Sequence, residues 1–273
     1  MTDSPGATAR GRTPQSNPSS RLPRAVVVLA GVGLAVLMVP VLGLLTDAPW
    51  TRIPELLATD ATLVAMRVSL VVSLSAVVLS VLIGVPTAFV LARLDFPGKA
   101  LLRTIVSVPL VLPPVVTGVA LLSGFGRRGL LGDLTGVGLS NTTVGAVLAA
   151  TLVAMPFLIL SVEGALRNAD PEYEAVAASL GAGPLARWWR VSVPLARPSI
   201  VAGATLAWAR ALGEFGATIT FAGNIEGVTR TLPLEVSIAI DRDPDRAVAL
   251  SLVLLAVALA VLVALRDRWV PRR

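Results

Sequence analysis

Long runs without a charged residue alternate with short polar stretches along this chain. Uncharged runs cover Ala25–Thr46, Val68–Ala92 and Thr104–Gly126, a fourth lies inside Leu134–Val162, and a last one covers Ala247–Leu265. A helix needs roughly 20 apolar residues to cross about 30 Å of hydrocarbon, and each run is of that order. One further apolar stretch, Ser199–Phe221, is interrupted by Arg210 and Glu214. Together these runs predict six spans in an all-α, polytopic transmembrane helix bundle.

Composition agrees with the pattern. Of 273 residues, 55% are hydrophobic and 15% charged, and the mean hydropathy is +0.80. A soluble domain carries about a quarter charged residues, so this chain has too few to cover a water-facing surface of its size. There is no Cys and no His. That excludes thiol chemistry, disulfides, imidazole acid–base catalysis and the usual zinc sites. No catalytic residue and no metal ligand set is expected.

The formal charge is +6, from 23 Lys+Arg and 17 Asp+Glu. In a soluble protein this excess would point to nucleic acid; here its placement matters more. Arg10, Arg12, Arg21 and Arg24 precede the first run, and Arg93, Lys99 and Arg103 separate the second from the third. Arg167, Arg187, Arg190 and Arg197 lie between the fourth and fifth, and Arg266, Arg268, Arg272 and Arg273 follow the last. The opposite loops hold only Arg52, Arg127, Arg128, Arg230, Arg242 and Arg246. Cytoplasmic loops are the cation-rich ones, so both termini are expected in the cytoplasm of a bacterial cell membrane, and no nucleic-acid partner is expected.

Three regions follow. Residues 1–24 read as a disordered cytoplasmic tail, 25–266 as a transmembrane domain with a cytoplasmic loop at 167–198, and 267–273 as a cytoplasmic C-terminal tail. The first run is too long for a signal-peptide core, and no small-residue cleavage site stands out before Asp47, so it is read as a retained helix.

Three places carry candidate chemistry. Pro109, Pro113 and Pro114 fall inside the third run, where missing donors kink a helix. Such a helix is either structural or lines and gates a pathway. In the loop, Asp170 and Pro171 suit a helix start, Glu172 and Glu174 suit its positive end, and Gly181 suits its stop. A second short piece, Leu185–Val191, contains Trp188 and Trp189 and ends before Pro194. The alanine face of Ala175, Ala177 and Ala178 packs on the bundle or fits a partner's groove. In the fifth run Arg210 and Glu214 are four apart and share a helix face. Either alone would cost several kcal/mol or so within a bilayer. They form a structural ion pair, or Arg210 favours an anion path. Gly213 and Gly216 allow close helix approach beside them, and Thr218 follows on the same stretch.

The loop resembles the cytoplasmic signature of ATP-binding-cassette (ABC) importer permeases: Glu-Ala-Ala, three residues, Gly, nine residues, Ile-x-Leu-Pro. Gly181 and Pro194 match, Val191 and Val193 replace Ile and Leu, and Ala177 fits the second alanine. Ala175 stands where the pattern has its glutamate, with Glu174 one residue earlier. Leu-Gly-Glu-Phe-Gly-Ala-Thr from Leu212, Pro109–Leu122 and Thr229–Glu235 resemble the molybdate/sulfate group, molybdate subtype. The resemblance covers roughly residues 60 to 265. It implies a type I ABC importer permease (MetI-like) fold and a second copy of the chain. It also implies two ABC ATPase subunits that bind ATP and Mg, and an extracytoplasmic molybdate-binding protein. The substrate would be a tetrahedral oxyanion, with tungstate or sulfate/thiosulfate as alternatives to molybdate. No phosphate loop is found, since Gly124–Gly132 lacks the Gly-Lys-Ser/Thr ending, so no nucleotide is expected in this chain. An ion-coupled secondary transporter using Glu214 is the rival class.

Overall fold

The structure is a computed structural model that describes residues 23–269, with side chains to residue 263. Residues 1–22 and 270–273 of the expected tails lie outside the described residues. Arg24 already opens the first helix, and residues 267–269 continue the last. Every element among the described residues is helical.

Two compact units divide at Thr46 and Asp47. The described part of the first is α1 (Arg24–Thr46), apolar on all sides, with Leu29, Val36 and Leu37 all well exposed. A helix with no polar face is stable in water only when covered, and in lipid without cover.

The second unit begins with α2 (Ile53–Leu57) and α3 (Asp60–Arg93). Then come α4 (Lys99–Val111), α5 (Pro114–Phe125), α6 (Leu130–Thr135) and α7 (Thr143–Asn168). The loop holds α8 (Glu172–Ser179) and α9 (Pro184–Arg187), and a π-helical turn, Trp188–Ser192, leads into α10 (Val193–Leu212). After it lie α11 (Gly216–Phe221), α12 (Leu232–Arg242) and α13 (Pro244–Trp269). Four helices among the described residues are long and apolar enough to cross a membrane: α1, α3, α7, and α13 over Pro244–Val263.

The other two apolar runs are each split in two. Leu112 and Pro113 each precede a proline, which disfavours the α region. Both are extended, with ψ of 134° and 136°, so the third run is broken rather than kinked, into α4 and α5. The fifth run ends α10 at Leu212 and restarts as α11 at Gly216.

The core lies where α3, α7 and α10 meet. Ala76, Ala88, Ala146, Ala150, Ala154 and Ala207 are completely buried there. Small residues let helix backbones approach, the usual means of packing where no water drives association. A Cβ on Gly84 would lie 2.8 Å from Leu158, and one on Gly203 would lie 3.2 Å from the Leu158 Cα. Hydroxyls add cross-links: Trp208 Nε1 donates to Ser73 Oγ at 3.1 Å, and Ser161 Oγ to the Ser199 carbonyl at 3.2 Å. A second cluster joins α3, α12 and α13 through Ala65, Leu232, Ala239 and Leu250. A third joins α5, α7 and α11 through Leu121, Val153, Ala217 and Phe221.

Candidate functional site

The two breaks lie side by side. A Cβ on Gly216, the first residue of α11, would come within 2.5 Å of the Pro114 Cβ, the first residue of α5. One turn further on, a Cβ on Gly118 would overlap Thr220. So α5 and α11 start at the same level and pack through glycine.

Glu214 spans the second break. Its Oε2 lies 3.0 Å from Arg210 Nη1 in the last turn of α10, and its Oε1 accepts the Ala217 N–H of α11 at 2.8 Å. The Glu214 side chain is 1% exposed and that of Arg210 33%. A carboxylate at the start of a helix satisfies an orphan donor and faces the positive end of its dipole. Glu214 therefore staples α10 to α11, and the charge that reaches a surface is that of Arg210. Gly213 and Phe215 are exposed beside it, as are Pro113 and Pro114 on the facing break. Pro109 lies inside α4 and is half-buried, while Thr218 is 1% exposed and turns into the bundle.

The loop residues occupy one end of the bundle. The Glu172 N–H donates to Asp170 Oδ1 at 2.9 Å, which starts α8. Gly181 stops it with φ of +84°, a conformation that costs a side-chain-bearing residue. Paired bonds, Gly181 N–H to Ala178 O and Ala182 N–H to Ala177 O, close the turn as a Schellman motif. Ala175 is exposed and Ala177 half-buried. Contrary to the expectation from sequence, Pro194 does not end the second piece. The chain stays helical from α9 through the π turn into α10; the Val193 N–H bonds to the Trp188 carbonyl, and Pro194 follows directly after this wide turn. Trp188 is half-buried edge-on against Phe89 of α3, with ring centroids 6.5 Å apart, while Trp189 is exposed.

Glu174 faces inward. Its Oε1 accepts from Arg93 Nε at 3.1 Å and from Ser192 Oγ at 2.9 Å. Sequence spacing does not reveal this contact, because Arg93 is 81 residues away. Two other buried glutamates were also missed. Glu163 of α7 pairs with Arg103 of α4 and, at 3.8 Å, with Arg167. Glu235 of α12 lies 2.7 Å from Arg246 and 3.6 Å from Arg230, and Arg246 also donates to Thr62. Glu163 gave a usable signal as a lone carboxylate ending an apolar run. Glu235 lies within the Thr229–Glu235 motif together with Arg230, yet its nearer partner, Arg246, comes from α13.

The family model described as "Binding-protein-dependent transport system inner membrane component" matches residues 80–273. The Mycobacterium tuberculosis protein described as molybdenum transport system permease protein ModB is 46% identical over 223 residues, 81% of this chain and 84% of the relative. The Escherichia coli K12 protein of the same description is 44% identical over 182 residues, 65% and 80% of the two chains. Among solved structures, a chain of a bacterial ABC transporter involved in the import of the acidic polysaccharide alginate superposes with a TM-score of 0.69 at 16% identity. That match covers 91% of this chain and 96% of the other. A chain of the MetNI methionine ABC transporter, in an inward-facing conformation, gives 0.58 at 19% identity, covering 76% and 95%.

Proposed function

The chain belongs to the binding-protein-dependent transport system inner membrane components, and from that premise we propose that it is the permease subunit of an ATP-driven importer of molybdate. It is a multi-pass membrane protein and a non-catalytic transport component with an ABC importer permease fold. In this reading α4–α5 and α10–α11 each cross the membrane as a broken helix, which brings the spans to six and both termini to the cytoplasm. Two copies enclose the path. Two ATPase subunits bind ATP and Mg, dock on the loop 167–198, and draw the two loops together. An extracytoplasmic molybdate-binding protein delivers the anion.

The observation that carries the substrate is the likeness, across four-fifths of the chain, to a relative named for molybdenum transport. The break geometry supplies a physical reason. Arg210 is one-third exposed and held by a carboxylate that is itself fully buried. An oxyanion passing the break meets the guanidinium, while the compensating charge stays out of contact. A guanidinium offers planar paired donors to an oxyanion.

Uptake of molybdate by the complete complex in proteoliposomes, with sulfate and tungstate as competitors, tests this. ATP-dependent molybdate uptake that excess sulfate does not suppress supports the reading. Uptake of sulfate alone, or uptake without ATP, overturns it in favour of a sulfate importer or an ion-coupled carrier.

A further inference from the structure

The loop that would meet the ATPase contains a carboxylate turned away from any partner. Glu174 lies in the first turn of α8, and its side chain is only 19% exposed. Arg93 is the last residue of α3, where a cation meets the negative end of the helix dipole. Its side chain is 14% exposed, and its Nη2 is buried without a hydrogen bond. Ser192 is 1% exposed and closes the π turn at the head of α10. One carboxylate oxygen thus joins three elements: α3, α8 and the π turn. Elsewhere α8 packs on α9 and the π turn. The face of the loop left open is apolar, with Tyr173 61%, Leu180 83% and Leu185 69% exposed.

We propose that Glu174 is a positioning residue, a clasp that makes α8, the end of α3 and the head of α10 move as one body when an ATPase subunit displaces the loop. Its carboxylate takes no part in the docking contact. The proposal rests on the permease reading above and adds the route by which displacement enters the bundle. Without the clasp, motion of α8 reaches the spans through the chain to α7 and through its packing on α9 and the π turn, with no ion pair to α3. With it, α3 is driven directly, and α3 and α10 both pack on α7. Removing Glu174 also leaves Arg93 as a mostly buried cation with no counter-charge, a costly state.

Spin labels on Leu94→Cys and Ala178→Cys test the clasp in the full complex with its ATPase subunits, since the chain has no native cysteine. With Glu174 intact, the label separation changes by no more than about 2 Å between nucleotide-free and ATP-bound complex, the scale of a packed-helix shift. Glu174→Ala lengthens or broadens that separation and lowers anion uptake per ATP hydrolysed at least about fivefold, the lower end of typical coupling. The ATPase subunits still copurify. The exchange Arg93→Glu with Glu174→Arg restores both readouts. Larger ATP-dependent movement in the wild type, unchanged coupling in Glu174→Ala, or loss of the ATPase subunits from that variant overturns the proposal. Should Glu174→Ala not fold, the exchange variant decides: wild-type distances and coupling support the clasp, and their absence overturns it. The label distance is independent of the anion. A complex that carries no molybdate therefore refutes the substrate reading alone.

Discussion

α7 and the α10–α11 break each bury one glutamate with an arginine four residues away, yet the two carboxylates serve different ends. Glu214 pairs with its local arginine at 3.0 Å and caps the next helix, so both of its oxygens act along one continuous stretch of chain. Glu163 lies 3.8 Å from its local partner, Arg167, and closes instead on Arg103 of α4. The first pair holds a broken helix together, and the second ties half of another broken helix to the core. Spacing alone gives both the same reading. Only packing separates a pair that staples from one that braces.

The comparison predicts unequal costs. Glu214→Ala uncaps α11 and strands Arg210, and should destabilise the purified protein by about 3 kcal/mol, the lower end for breaking a buried pair. Thermal unfolding in detergent would show a clearly lowered midpoint; a wild-type midpoint would mean the staple is dispensable. Gly216→Ala should come next, at about 2 kcal/mol, because the added methyl meets Pro114 and overpacked sites cost that much. Pro114→Gly in the same chain removes the Cβ that the methyl meets and should recover part of the loss, and no recovery would place the clash elsewhere. Glu163→Gln should cost less, about 1 kcal/mol, because the amide oxygen can still accept from Arg103 and no helix cap is lost. A loss matching that of Glu214→Ala would erase the distinction between the two sites. Arg210→Lys keeps the charge but not the planar fork. It should cost less stability than Glu163→Gln, because the ammonium keeps the charge facing Glu214, while raising the KM for molybdate uptake. An unchanged KM would make Arg210 purely structural.

Much of this was legible in the chain itself. The long charge-free runs mark α1, α3, α7 and α13. The Pro113–Pro114 pair locates one break, because the residue before a proline avoids the helical region. Asp170 and Gly181 mark both ends of α8 through local hydrogen bonds that depend on nearby residues only. What stayed hidden is long-range or cooperative. The break after Leu212 has no proline to announce it, only a glycine and a carboxylate that stabilise the restart. Arg103 beside Glu163, Arg93 beside Glu174 and Arg246 beside Glu235 lie on other helices, which sequence spacing cannot bring together. Pro194 reads as a stop because prolines usually interrupt; in the structure it follows the π turn and the helix runs on through it.

The π turn at Trp188–Ser192 has one further consequence. A π turn carries one residue more than the α turn it replaces, so this joint holds a surplus peptide unit. Deleting a single residue there would let the segment relax into ordinary α-helix. α8 and α9 would swing by about 100° around the α10 axis and advance about 1.5 Å, the step of one α-helical residue. Tyr173 and Leu180 would face a different direction, while the spans kept their own register. The joint is thus a built-in phase setting between the loop and the bundle, adjustable by one codon.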